Sequence, residues 1–324
     1  MSRITDVAGS VKAFLGEKLL RAKVRDGWVA LAFGAGTLSL VHVCRRPGQR
    51  PEVLMLRTES GASAEPSNLR ILAKELGLNQ CNCSLLLNPG EYQFLQIELP
   101  AVPDEEVKEA VRWSIKDMVD FPAESMTLDV IEISSPENRG GRARQGFVAA
   151  ADDGLIADRM ASFNDADAKI EAIDVPEMAI RNIAALFEEA GRGLAVLVFD
   201  DERITLAFTF GGELFAARQI DLPRTRLEQA EGEWRQQMFD RIALETQRSL
   251  DNFERLHGQV SISRVLVSPL PTVTGLVDYL RGYLTLPVGE LDLAEVMDIT
   301  LVPELAQPGR QTFYLKLLGA ALRE

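Results

Sequence analysis

Residues 193–222 read GLAVLVFDDERITLAFTFGGELFAARQIDL, and the fold turns on how this stretch is punctuated. Its apolar residues fall into three runs of strand length, 194–199, 204–210 and 214–220. The gaps between them hold Asp200-Asp201-Glu202 and Gly211-Gly212, residues that bond their own backbone or tolerate positive φ, so both gaps predict hairpin turns. The stretch is a three-stranded meander. Working outward, the chain does the same once before. Residues 28–33, the Gly34-Ala35-Gly36 turn, residues 37–43, an Arg-Pro-Gly turn and residues 53–58 again give strand, turn, strand, turn, strand. A helical pattern follows each meander, which predicts a duplicated, two-lobed α/β protein.

With 324 residues, 46% of them hydrophobic, the chain can bury the core of about two domains. Its 48 acidic against 35 basic residues, net −13, argue against a nucleic-acid partner, since phosphate neutralisation needs a basic face. The exception is local: residues 1–25 hold six basic and two acidic side chains, +4, leaving −17 for the remainder. Within them, residues 4–20 place Ile4, Val7, Val11, Phe14, Leu15 and Leu19 near one helical face beside lysines. Such a helix suits either an anionic membrane surface or its own domain. Three cysteines make no disulfide framework and predict a reducing cytoplasm. No apolar run reaches the length of about 18–20 residues that a membrane span needs, so the chain is expected to be soluble and not exported.

Between and beyond the meanders the pattern predicts a helix over 68–78 and strands over 84–88 and 92–98. A helix then runs from the Pro103-Asp104 start to about residue 119, followed by strands over 127–133 and 145–150 around a polar loop. A helix over 154–164, a strand over 169–175 and a helix over 176–190 complete the first half, with 84–165 as an insertion in the first lobe. The second meander leads to a long helical pattern over 224–256, with Gly232 as its candidate break. A strand over 264–268 and helices over 273–283 and 313–322 follow, the last with a small Gly319-Ala320-Ala321 face for close packing.

Chemistry is sparse. Gly34-x-Gly36 lacks the third glycine of a dinucleotide fingerprint and precedes a strand, and no GxxxxGKS loop occurs. Cys81-x-Cys83 has no third ligand nearby and predicts two half-buried thiols on a strand edge. His42 and His257 sit on a strand and at a helix end. Asp152-Asp153 and Asp200-Asp201 lie where aspartate ordinarily caps or turns the chain. No nucleophile and base pair stands out.

Four segments carry a resemblance: LQIELPAVPDEEVKEAVRWSIKDMVDFP (95–122), IEAIDVPEMAIRNIAALF (170–187), LETQRSLDNFERLHGQVSISRVLVSP (244–269) and FYLKLLGAALRE (313–324). With the repeated meanders they resemble the actin-like ATPase superfamily, in the branch that contains FtsA and PilM, over most of residues 28–324. The resemblance implies a two-lobed α/β, ribonuclease H-like fold with an α+β subdomain inserted in the first lobe. Its parts would be an N-terminal segment (1–25), a first lobe (26–83 and 166–191), an insertion (84–165) and a second lobe (192–324) with a shortened outer subdomain.

The departures from that family are as informative. ATP-binding members carry an aspartate before the glycine turn and often a lysine on the second strand; here Ala32 and Ser39 fall there, beside Gly34. The second-lobe aspartate and turn glycine fall on Val198 and Asp200, and the adenosine motif falls near Ser268. Phosphoryl transfer needs metal-bridged charge neutralisation, so the expectation is a fold without catalysis, without metal or cofactor, and with at best weak ATP binding. By resemblance the chain would be a scaffold of type IV pilus assembly. It would hold the cytoplasmic N-terminus of a PilN-like bitopic inner-membrane protein in a groove placed at residues 95–121, with a pilus assembly ATPase as a further partner and peripheral membrane contact through residues 1–24. The alternatives are a working ATPase in which Asp201 or Glu202 binds the metal, or a cytoplasmic component of type II secretion of GspL type. Trp113, on a helix between Glu109 and Lys116, is either partly exposed beside the groove or a packed core residue.

Overall fold

The computed structural model describes residues 26–34, 36–61, 66–133 and 144–323, with the side chains of 66–68 excepted. The predicted helix over 4–20, the +4 segment and most of the polar loop after residue 133 lie outside them.

Two five-stranded sheets repeat one topology. In the first lobe β1 (Trp28–Gly34), β2 (Thr37–Cys44), β3 (Glu52–Ser60), β4 (Asn82–Leu86) and β8 (Ile170–Asp174) take the order β3-β2-β1-β4-β8. In the second, β9 (Gly193–Phe199), β10 (Ile204–Phe210), β11 (Glu213–Ile220), β12 (Ile262–Val267) and β13 (Val288–Glu290) take the order β11-β10-β9-β12-β13. Each opens with an antiparallel meander and continues in parallel pairs, so the duplication read from the sequence is the architecture. Every residue of β9 is buried, as a central strand covered on both faces must be. The β10–β11 turn has Gly211 at φ 63° and Gly212 at φ 76°, the paired positive φ of a type I′ hairpin. A third, antiparallel sheet, β5 (Gln93–Glu98), β6 (Met126–Glu132) and β7 (Gln145–Asp152), has the order β5-β7-β6 and forms the insertion.

Eight helices occur among the described residues: α1 (Pro66–Leu76), α2 (Val107–Ser114), α3 (Asp153–Asp165), α4 (Pro176–Ala185), α5 (Arg224–Gln229), α6 (Gly232–Leu256), α7 (Leu276–Tyr283) and α8 (Pro308–Ala320). Helices α1 and α3 pack together over one face of the first sheet, where Val29, Leu31 and Phe33 of β1 point. The alternate residue Ala30 faces a continuous core shared with the second lobe. In that core α4, from the first lobe, lies on β9, β10 and β11, while α8, from the second, lies on β1, β2 and β4. The two cross closely at Gly319, where an added Cβ would stand 2.1 Å from the Ala179 carbonyl oxygen. The small face expected at 319–321 is what permits this approach.

Several boundaries differ from the expectation, each for a local reason. The first helix ends at Leu76, because Gly77 takes φ 66° and the next turn is 3-10. The insertion helix stops at Ser114 rather than near 119; the Ser114 hydroxyl donates to the Val111 carbonyl at 2.9 Å, competing with helix continuation. Helix α4 closes at Ala185, not 190, through the tight bonds Leu186 N–H to Ile183 O and Phe187 N–H to Ala184 O. Gly232, at φ 53°, separates α5 from α6 as expected, and Gly275, at φ 87°, delays α7 to Leu276. The closing helix begins at Pro308, five residues early, with proline in its first turn. The short edge strand β13 is an addition to the expected elements.

The three-stranded sheet draws its strands from residues 93–152, whereas the sequence reading gives 84–165 to the insertion. Strand β4 pairs with β1 and β8 in the first sheet, and α3 lies between α1 on one side and β6 and β7 on the other. Cys81 and Cys83 are buried beside and within an interior strand, not half-buried on an edge. Burial pushes the Cys83 thiol up to about 12 and raises Cys81 as well, so neither is a thiolate at neutral pH.

Candidate functional site

The six sequence-predicted positions form two sets, at equivalent ends of the two sheets. Ala32 on β1 sits between Ser39 on β2 and Leu86 on β4, next to the exposed turn residue Gly34. The buried Ser39 hydroxyl hydrogen-bonds Thr58 Oγ1 at 3.0 Å. In the second lobe Val198 is buried on β9 opposite Thr205. Ser268 is buried too, its Oγ accepting the Phe199 N–H at 3.1 Å and its own N–H donating to the Leu197 carbonyl at 2.8 Å. Its hydroxyl therefore completes the sheet. Asp200 begins the β9–β10 turn, where its N–H donates to the Arg203 carbonyl at 2.9 Å.

Helix α8 joins the sets. Tyr314 reaches Thr58 Oγ1, at 2.8 Å, and so the Ser39 side; two residues on, the Lys316 ammonium donates to Asp200 Oδ2. The Asp200 carboxylate is thus already neutralised by a lysine of the same chain. Beside it, Glu177 at the start of α4 is 2% exposed. It accepts Tyr92 O–H at 2.7 Å and Gln219 Nε2–H at 3.0 Å, and Gln219 Oε1 accepts from Arg203 Nη1 at 2.6 Å. This chain of bonds ties the start of the insertion, the first lobe and the second. Burial raises the Glu177 pKa, and raises that of Tyr92 well above the phenol range, with the Glu177 carboxylate adding to it.

The other polar turn residues are also paired. Arg224 pairs with Asp201 at 2.5 Å and with Glu228 at 3.1 Å, and Glu228 accepts Thr272 Oγ1–H at 2.8 Å. Glu202 pairs with Arg203 at 3.4 Å. Among the described residues no three His, Cys, Asp or Glu side chains gather as a metal site. Asp152 caps α3 through the Gly154 and Leu155 N–H groups at 2.9 and 3.1 Å. His42 is buried against the Asp26 carbonyl, its pKa lowered by burial, and His257 packs on Phe215 and Phe253. Sequence reasoning missed Lys316, Glu177, Tyr92 and Gln219. Only Glu177 carried a signal, as an acid directly after a helix-opening proline.

A groove of about 560 Å³ opens where the first lobe, the insertion and the β10–β11 turn of the second lobe meet, its lining including Asp129, Ile131 and Ala149 from β6 and β7, Ile173 from β8, Met178 and Arg181 from α4, and Gly211 and Gly212. It is not lined by residues 95–121. Strand β5 is the opposite edge of the small sheet, where Gln96 Nε2 donates to the Phe215 carbonyl of the second lobe at 3.3 Å. Trp113 is 50% exposed and donates to Glu109 Oε1 at 2.8 Å, so it is a surface residue away from this groove. No helix among the described residues is long and apolar enough to cross a membrane.

Two mixed five-stranded sheets that repeat one topology, two helices crossing between them and an antiparallel three-stranded insertion constitute the actin-like ATPase fold. More particularly it is PilM-like: the chain superposes on the structure of a PilM–PilN type IV pilus biogenesis complex with a TM-score of 0.68 at 23% identity, over 92% of this chain and 98% of that one. Weaker similarity extends to a Bacteroides thetaiotaomicron protein with an actin-like ATPase fold (TM-score 0.48, 9% identity, 88% and 98% covered). It extends also to the cytoplasmic domain of EpsL, an inner-membrane component of the type II secretion system of Vibrio cholerae (0.46, 10%, 80% and 94%). No family model and no curated protein sequence matches the chain.

Proposed function

We propose that this chain is a non-catalytic, PilM-like scaffold of type IV pilus biogenesis, of the MshI type found in MSHA pilus systems. It holds the cytoplasmic N-terminal peptide of a PilN-like bitopic inner-membrane protein. The observation that carries the reading is the near full-length likeness to PilM from a PilM–PilN complex. The groove that the first lobe and the insertion share with the β10–β11 turn supports it: about 560 Å³, open at the surface and lined by charged as well as apolar side chains, it has room for an extended peptide. The absence of catalysis is supported by Ala32 and Val198 where metal-holding carboxylates would stand, and by Lys316 engaging Asp200. Residues 1–24 add peripheral contact with the inner membrane, and a pilus assembly ATPase is the further partner.

The test is a titration with a synthetic peptide of the partner's N-terminus, followed by hydrogen exchange. Protection at residues 129–131 and 173–178 is expected; protection confined to the second lobe would refute the groove. In parallel, calorimetry with magnesium and ATP should give no hydrolysis and no micromolar binding, and a micromolar constant would favour the working ATPase instead.

A further inference from the structure

The charges around the groove do not balance. Asp174, 4% exposed, is held by the Val175 N–H at 2.9 Å and by Arg323 at 2.7 Å, and Asp129 is paired with Lys108 at 2.6 Å. Arg181, from α4, lines the same groove and belongs to no ion pair among the described residues. Its Nη1 donates to the neutral Asn182 Oδ1 at 2.8 Å, and its Nε is buried without a partner. Burial outweighs the attraction of Asp174, Glu213 and Glu188 and lowers the Arg181 pKa. A partly buried guanidinium with carboxylates nearby but none in direct contact is incompletely compensated, and its planar fork is suited to a carboxylate.

We infer that the groove takes an extended peptide segment whose apolar side chains lie on Ile131, Ala149 and Met178 and whose one acidic side chain meets Arg181. This rests on the reading of the groove as the partner site and adds the partner's chemistry. It runs against the net charge of the chain, −13, which by itself favours a basic ligand. The acidic position is therefore a local demand of the groove and not a product of long-range steering.

Panning a random peptide display library against the full chain provides the test, with affinities of the selected peptides then measured on wild type, Arg181→Lys and Arg181→Met. One invariant aspartate or glutamate among apolar residues is expected, with exchange protection at 129–131 and 173–185. Changing that acid to its amide should weaken binding roughly 10- to 100-fold, as loss of a charged hydrogen bond does. Arg181→Met should cost about as much and Arg181→Lys less, and acid and arginine losses should not add. The amide peptide reads the contact without altering the protein. A consensus lacking an acid, or equal affinity for Arg181→Met, overturns the inference and leaves the groove reading standing. Peptides that protect another surface, or no selected peptide at all, overturn both.

Discussion

Replacing Lys316 by methionine keeps most of the side-chain volume and removes the ammonium that neutralises Asp200. The two side chains are 20% and 26% exposed, between a surface pair and a fully buried one. Two unit charges about 4 Å apart at an effective dielectric of ~20 attract by about 4 kcal/mol before dehydration is subtracted. Surface pairs contribute under about 1 kcal/mol, and breaking a buried pair costs about 3–5 kcal/mol. The partial exposure therefore points to a loss of about 2 kcal/mol. With an unfolding entropy of ~2.1 cal/mol/K per residue, a two-state chain of this size would lose about 3 °C in Tm. Urea unfolding of Lys316→Met, Asp200→Asn and the double variant isolates the pair, with an expected coupling of about 1.5 kcal/mol. Hydrogen exchange should quicken at residues 200–203, where the turn loses its tether to α8. A coupling below about 0.3 kcal/mol, or unchanged exchange at that turn, would refute the claim that α8 clamps the second-lobe turn.

Gly319→Ala should destabilise by about 3 kcal/mol or more, since the new Cβ meets backbone rather than a movable side chain, whereas Gly282→Ala, with open space around it, should be neutral or stabilising in a thermal melt. Glu177 and Asp174 have pKa values raised by burial, so their contribution to stability is complete below the unfolded carboxyl pKa and is lost as pH rises through the raised folded values. From about pH 5 to 8 these carboxyls pull Tm down as pH rises while the buried His42, its pKa lowered, pulls it up, so the test is the difference: Tm should change less favourably with rising pH in the wild type than in Glu177→Gln, and parallel slopes would disprove the assignment to Glu177. Deleting residues 1–24 should abolish sedimentation with anionic liposomes at low salt and leave Tm unchanged, because each basic residue near such a surface contributes about 1 kcal/mol that salt screens. A lowered Tm with unaltered liposome binding would mean that the segment packs on its own domain.

Much of the fold was legible because its signals are local. The double glycine at 211–212, the Asp200 turn and the strand-length apolar runs around them each specify backbone conformation within a few residues, and their repetition near the N-terminus marks the duplication. Apolar and small residues at Ala32 and Val198 were equally plain, since they concern which side chain is present. Helix ends were harder. Ser114 and Ala185 end helices whose apolar period runs on, because the path of the chain past each end depends on where Ile115 and Phe187 are buried.

The site itself was set by tertiary structure. Nothing in the sequence around Lys316 tells a surface lysine from one that neutralises Asp200, 116 residues away; the distinction arises where α8 crosses between the sheets. Glu177, Tyr92 and Gln219 come from three separate segments and acquire a shared role when burial makes each need the others' hydrogen bonds. The groove on β6 and β7 was likewise not legible, because the sequence specifies the three strands of the insertion but not how their sheet packs on its neighbours. Periodicity and turn chemistry act over a few residues and determine the elements. The pairing of charges across the interlobe contact depends on how those elements pack, which only the folded chain decides.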